Sequence, residues 1–270
     1  MWNWTHLGIF FALSLLVCLC GFKKYVYFMS IGYGFSVAII GAAMAVLSLT
    51  GAYTGVSLAH FIQFALFVVY GFRLSGFLLI REIKNAAYRK TLAEATGDEI
   101  PVFVKFFMWI TMGVLYTAQT SGVAFRLFNG EASSVCQWIG IAISAFGIGL
   151  ETVADQQKSR QKAKRPDMVA TEQLYKIVRC PNYFGEILFW TGVTVSALDC
   201  LAGAGQWISV IIAYILIVFI MFNGAQRLEK RQMARYGNNA ESYVFKTDKT
   251  KSYAPVLASK VAFTLVYVGR

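Results

Sequence analysis

Ionisable side chains inside long apolar stretches are the residues of this sequence best placed to do chemistry. Arg73 sits within the apolar stretch 57–80, Glu151 and Asp155 within 136–156, and Glu186 within 182–200. A charge at membrane depth is costly, and by default it marks either function or a buried partner. Glu151 and Asp155 are four residues apart, as are Asn182 and Glu186, so each pair shares one helix face. Arg179 lies just before Pro181, which suits the first turn of a helix. Together these groups predict a polar pocket at the cytoplasmic end of several helices. Such a pocket suits a ligand with an anionic, polar end and an apolar partner buried deeper. A nucleotide entering from the cytoplasm and a lipid-like substrate from the bilayer fit that description. The competing reading is a set of structural ion pairs that fix helix packing.

The elements that must carry these residues are membrane helices. The chain has 270 residues, of which 57% are hydrophobic and 14% charged. Soluble domains carry about 25% charged residues. A disordered chain and a disulfide scaffold are thereby excluded. The composition predicts an all-α integral membrane protein. Apolar stretches long enough to cross about 30 Å of hydrocarbon lie at 3–22, 27–49, 57–80, 102–123, 136–156, 182–200 and 205–225. That makes about seven transmembrane helices in a single transmembrane domain, 1–270. Glu186 makes the sixth stretch the least apolar. The first lacks a basic leader and an obvious cleavage site, and reads as a retained helix rather than a signal peptide. Residues 157–170 read as a polar linker, and 227–270 as a cytoplasmic tail. The apolar run Val256 to Val268 is too short to span and suits the interface.

The basic residues orient these helices. Of 25 Lys and Arg, all but Arg73 and Arg126 fall in or around the first, third and fifth connections or after the seventh stretch. Arg73 is inside a stretch, and Arg126 is expected in a loop on the other side. By the positive-inside rule the N-terminus faces outward and the C-terminus the cytoplasm. The net charge of +11 follows from this topology and favours anionic headgroups. It does not mark a nucleic-acid-binding domain. Five cysteines without a CxxC pair, and two histidines, predict no metal site. A multi-pass protein of a bacterial inner membrane or an endoplasmic-reticulum-type membrane is expected.

The most specific stretch is Leu174-Tyr175-Lys176-Ile177-Val178-Arg179-Cys180-Pro181-Asn182-Tyr183-Phe184-Gly185-Glu186, with Trp190 and Gly192 after it. It resembles the signature of the membrane steroid 5α-reductase-like family, and within it the bacterial DUF1295 set. The wider superfamily includes isoprenylcysteine carboxyl methyltransferases. Val69-Tyr70-Gly71-Phe72-Arg73-Leu74 with Arg81, and Ala154-Asp155-Gln156-Gln157-Lys158, resemble two further patches of the family. The resemblance covers about residues 27–255.

This resemblance implies an NADPH-dependent reductase of a steroid-like enone. Tyr70 matches the tyrosine that polarises the substrate carbonyl, through its spacing to Arg73. Glu151 and Asp155 match cofactor-holding positions, and Asn182, Tyr183 and Glu186 match a cofactor-contacting face. Arg81, Arg160 and Arg179 suit phosphate, since guanidinium pairs bidentately with its oxygens. Arg227 and Glu229 open a segment that continues to a Gly237–Tyr243 patch expected to cap the pocket. Two departures stand out. Cys180 replaces the family's His. The second stretch lacks the carboxylate that partners the catalytic tyrosine, and offers Tyr33 or Ser36 instead.

Plainer readings stand beside these. Tyr70 suits a packing role, and Gly32, Gly34 and Gly41 suit close helix packing. Two other functional classes remain. One is an S-adenosylmethionine-dependent methyltransferase of a lipid or isoprenyl thioether. The run Arg227-Leu228-Glu229-Lys230 has one acid where that class has two. The other is a non-enzymatic bundle or transporter, which inverted repeats and broken mid-membrane helices would mark.

Overall fold

In hydrocarbon a backbone must bond to itself, so uninterrupted apolar runs become helices. The computed structural model describes residues 2–96 and 100–238. Its α-helices are α1 Trp4–Cys18, α2 Ile31–Leu49, α3 Leu58–Lys84, α4 Ala86–Thr96, α5 Val102–Phe128, α6 Val135–Lys164, α7 Leu174–Ile177, α8 Pro181–Val195 and α9 Gly203–Tyr236. No strand occurs among the described residues. Among the described residues six segments are long and apolar enough to cross a membrane: α1 with the 3₁₀ turn after it, α2, α3, α5, α6 and α9. The protein is an all-α, multi-pass integral membrane protein.

The stretch expected as a further span, 182–200, forms the 15-residue α8. At 1.5 Å per residue, α8 is about 22 Å long, short of the hydrocarbon thickness. Turns through Ser196–Cys200 continue it. Pro181 opens α8, as its missing N–H and fixed φ favour.

The chain divides into two compact units. The first is Met1–Ala142 with Gly192–Tyr214; the second is Ile143–Thr191 with Ile215–Arg270. In the first, α2 and α3 cross at their glycines. A Cβ on Gly71 would meet the Gly34 carbonyl oxygen, and one on Gly34 would lie 2.8 Å from the Gly71 carbonyl oxygen. Ser75 Oγ locks this crossing by donating to Ile31 O at 2.8 Å. Gly41 likewise lies against Phe67. Membrane helices lack a hydrophobic drive toward each other, so close approach through small residues supplies their packing. Gly71→Ala therefore forces α2 and α3 apart, at a cost of roughly 1–3 kcal/mol or more. The expected result is a lower melting temperature and less monodisperse protein in detergent; an unchanged melting temperature would contradict the packing.

At the far end of α3, Glu82 accepts from Lys24 Nζ at 2.7 Å and from Tyr27 Oη at 2.5 Å. The carboxylate holds the Lys24 ammonium above its ordinary pKa. On the opposite side of this unit Arg126 is not a loop residue. It belongs to the last turn of α5 and is only 2% exposed. Its guanidinium donates to Ser196 O (3.0 Å), Ala132 O (2.8 Å), Ser134 Oγ (3.2 Å) and the Asp199 carboxylate.

In the second unit α6 and α8 run close together. A Cβ on Gly147 would lie 2.6 Å from Gly185 O, and Ser144 Oγ donates to Phe189 O at 3.0 Å. The segment 157–170 is not a polar linker. Residues 157–164 continue α6, and Met168, Val169 and Ala170 are buried. Gln157, Gln161 and Lys162 face the loop they support. Gln161 Oε1 accepts from Thr171 N at 2.9 Å, and Gln157 Oε1 from Leu174 N at 3.1 Å. Lys162 Nζ donates to Pro166 O and Met168 O and lies 3.7 Å from the Tyr236 ring centroid.

Candidate active site

Two sets of polar side chains stand out, one in each unit. In the first unit the α2–α3 crossing brings together the residues adjacent to its glycines. Tyr33 precedes Gly34 and Tyr70 precedes Gly71, and their hydroxyls are 2.9 Å apart. Tyr70 is fully buried and Tyr33 is 5% exposed. Tyr116 of α5 packs on Tyr33, with ring centroids 5.1 Å apart, and donates to Phe28 O at 2.7 Å. The neutral phenol pair thus sits where the sequence offered Tyr33 or Ser36 in place of a carboxylate. Ser36 is turned elsewhere: its hydroxyl lies near Cys18 Sγ and Ser14 O. Two phenols suit an apolar interior, because neither must be charged to hydrogen-bond. Arg73, one turn beyond Tyr70, is half-buried. Arg81 is exposed, with its guanidinium 4.4 Å from the Tyr88 ring centroid.

In the second unit a small cleft opens between α6, the 170–180 segment, α8 and α9. Lys158 and Arg179 give it two cations; Asn182 and Gln232 give it two amides. Tyr175, Cys180, Ala170 and Leu228 complete its walls. Tyr175 is buried, and burial pushes its phenol upward, so it presents a neutral hydroxyl. That hydroxyl lies 3.4 Å from Ala154 O. The residue before α7, Gln173, adopts φ +55°, a left-handed conformation that non-glycine residues rarely hold. It turns the chain so that Tyr175 points back onto α6.

Arg179 and Asn182 therefore line one cleft, as their spacing around Pro181 predicts. Glu229 does not line it. Its carboxylate accepts from Arg179 at 3.2 and 3.3 Å, so it holds that guanidinium in place. Glu151 and Glu186 are both buried. The α8 backbone approaches α6 beside Glu151, where a Cβ on Gly185 would lie 2.7 Å from Glu151 N. Asp155 and Tyr183 are half-buried, and Tyr183 lies over Gly224 of α9. Arg160 and Arg227 are exposed and do not line the cleft. Lys158 takes the place expected of Arg160. Its spacing was legible, since it lies one turn beyond Asp155 and two beyond Glu151. Gln232 had no sequence signal beyond its three-residue spacing from Glu229. Tyr243 lies outside the described residues, as does the rest of its patch beyond Asn238.

The sequence profile of one family, described as a protein of unknown function (DUF1295), matches residues 24–250. The chain is a member of the DUF1295 family. The match spans Tyr33, Tyr70 and every residue of the cleft, so both polar sets belong to the DUF1295 region. No curated protein and no solved structure matches the chain.

Proposed function

We propose that this DUF1295 protein is a membrane-embedded oxidoreductase that uses NADPH to saturate the double bond of a lipophilic, steroid-like enone. The observation that carries this reading is the buried Tyr33–Tyr70 hydroxyl pair. A carbonyl reduced through its conjugated double bond needs one well-placed hydrogen-bond donor in a water-poor site. In this reading Tyr33 donates to Tyr70, and Tyr70 donates to the substrate carbonyl oxygen. The first bond strengthens the second by polarising it. Negative charge gathering on that oxygen is met by a phenol already oriented for it. A methyltransferase has no comparable use for an enclosed phenol pair.

The second unit offers groups that fit the cofactor's polar end. Lys158 and Arg179 suit phosphate oxygens, and Asn182, Gln232 and Tyr175 suit sugar hydroxyls and amides. The cleft is small, and its cations and amides suit the phosphate and sugar end of a dinucleotide rather than the whole of it. When bound, NADPH supplies the hydride that adds to the carbon β to the carbonyl. In this reading α8 with the turns after it crosses as a further span, which brings the C-terminal ends of α6 and α9 to the same side, and the distribution of Lys and Arg supports that side being the cytoplasm, with the N-terminus outside.

Ligand-dependent thermal stabilisation of the detergent-purified protein tests the proposal. NADPH is expected to raise the melting temperature, by an amount worth about 2.7 kcal/mol at 100 times its Kd. Lys158→Ala/Asn182→Ala is expected to remove that rise. Stabilisation by S-adenosylmethionine instead would move the protein to the methyltransferase class. A response to neither ligand would leave the cleft a structural feature of a non-enzymatic bundle.

A further inference from the structure

Gln119, near the middle of α5, is 5% exposed, and neither its Nε2 nor its Oε1 has a hydrogen-bond partner among the described residues. Its direction follows from its neighbours on the helix. Tyr116, three residues before it, meets Phe28 and Tyr33. Gly122, three residues after it, meets Ala197 and Val210. Positions three apart lie on adjoining strips of one helix face, so Gln119 points between these contacts. It faces the interior of the first unit, one turn of α5 beyond the residue that packs on Tyr33. Other buried amides of that interior are engaged through at least one atom: Gln63 donates to Ser196 Oγ at 2.5 Å, and Gln137 donates to Gln63 at 3.4 Å, although Gln137 Oε1 has no partner among the described residues.

An enclosed primary amide with neither donor nor acceptor satisfied is rare in a folded interior and calls for a missing partner. We propose that Gln119 is a substrate-binding amide that takes a polar group at the far end of an elongated lipophilic enone. This proposal rests on the reductase reading, in which the enone carbonyl meets Tyr70. It narrows the substrate class to lipophiles with two hydrogen-bonding ends, a carbonyl conjugated to the double bond and a remote hydroxyl or carbonyl. Either remote group can use the amide, which offers both N–H and C=O.

The test uses a matched pair of steroid-like enones, one with a remote hydroxyl and one without it. NADPH oxidation and ligand-dependent melting temperature are followed for wild type, Gln119→Leu and Gln119→Met. The wild type is expected to prefer the hydroxylated enone by about tenfold or more in kcat/KM, since a built polar subsite rejects a ligand that leaves it unpaired. Both variants are expected to bring that ratio close to one. Without ligand both are expected to melt no lower than wild type, because an apolar side chain removes an unsatisfied buried amide. An unchanged ratio in the variants overturns the proposal. So does a clear loss of stability without ligand, which marks a buried water bridged by Gln119. If no enone is turned over, the reductase reading fails on its own. The hydroxylated compound then still supports the subsite if it stabilises wild type and not the variants, and overturns it if it stabilises them equally.

Discussion

Tyr70→Phe is expected to lower enone turnover by about 10²–10³-fold in kcat, the usual cost of losing one donor to a developing oxyanion. The change deletes a single hydroxyl from a fully buried ring and leaves the packing volume nearly unchanged. NADPH-dependent stabilisation should therefore survive, since the cleft cations belong to the second unit. Tyr33→Phe is expected to act through Tyr70 and to cost roughly tenfold, because it removes only the bond that polarises the donor. Turnover by Tyr70→Phe equal to wild type, measured as NADPH oxidation at saturating enone, would remove Tyr70 from the chemistry. It would return both tyrosines to a packing role.

Arg126→Met is expected to be the most damaging substitution for stability. The Arg126 guanidinium is enclosed, and it ties the end of α5 to the 132–134 connection and to 196–199. Methionine leaves the Ser196 and Ala132 carbonyls without their donor and Asp199 without its cation. Removing one partner of a buried pair costs about 3–5 kcal/mol. Here the Asp199 side chain is 34% exposed, and water offsets part of that loss, so roughly 2–4 kcal/mol is expected. Chemical unfolding in detergent, or the melting temperature, measures it. Arg126→Lys should recover only a fraction, because one ammonium cannot satisfy a fork of four acceptors. A variant as stable as wild type would show that these contacts contribute nothing net.

Much of the scaffold was legible because the bilayer imposes a strong rule on length and polarity. Uncharged runs had to become helices, and Pro181 had to open one. Glycines in the second stretch were readable as packing positions because membrane helices meet through small residues. Arg179 and Asn182 could be paired because both flank one helix start. The misassignments share a physical origin. Residues 157–164 looked like a linker because their polarity was read as exposure to water. In the fold, Gln157, Gln161 and Lys162 spend that polarity on the backbone of the following loop. Arg126 looked like a loop charge because a sequence does not show which carbonyls will surround a guanidinium. The partner of Glu229, Arg179, lies 50 residues earlier and was equally illegible.

The sequence by itself determined the class of this protein: composition and apolar run lengths required a multi-pass helical membrane protein, and its motif placed Arg179 and Asn182 on one helix start. Only the tertiary structure decided which polar groups meet. Tyr33 and Tyr70 are 37 residues apart in the chain, and their hydroxyls touch because Gly34 and Gly71 let two helices approach at that level. Lys158 enters the cleft and Arg160 does not, and the phase of one helix against its neighbours separates them. Gln119 lost its partners the same way: its helix face was set by Tyr116 and Gly122, not by its own preference for water. Local polarity and period follow from side-chain chemistry, whereas meetings across helices depend on crossing points that small residues permit and that no single segment encodes.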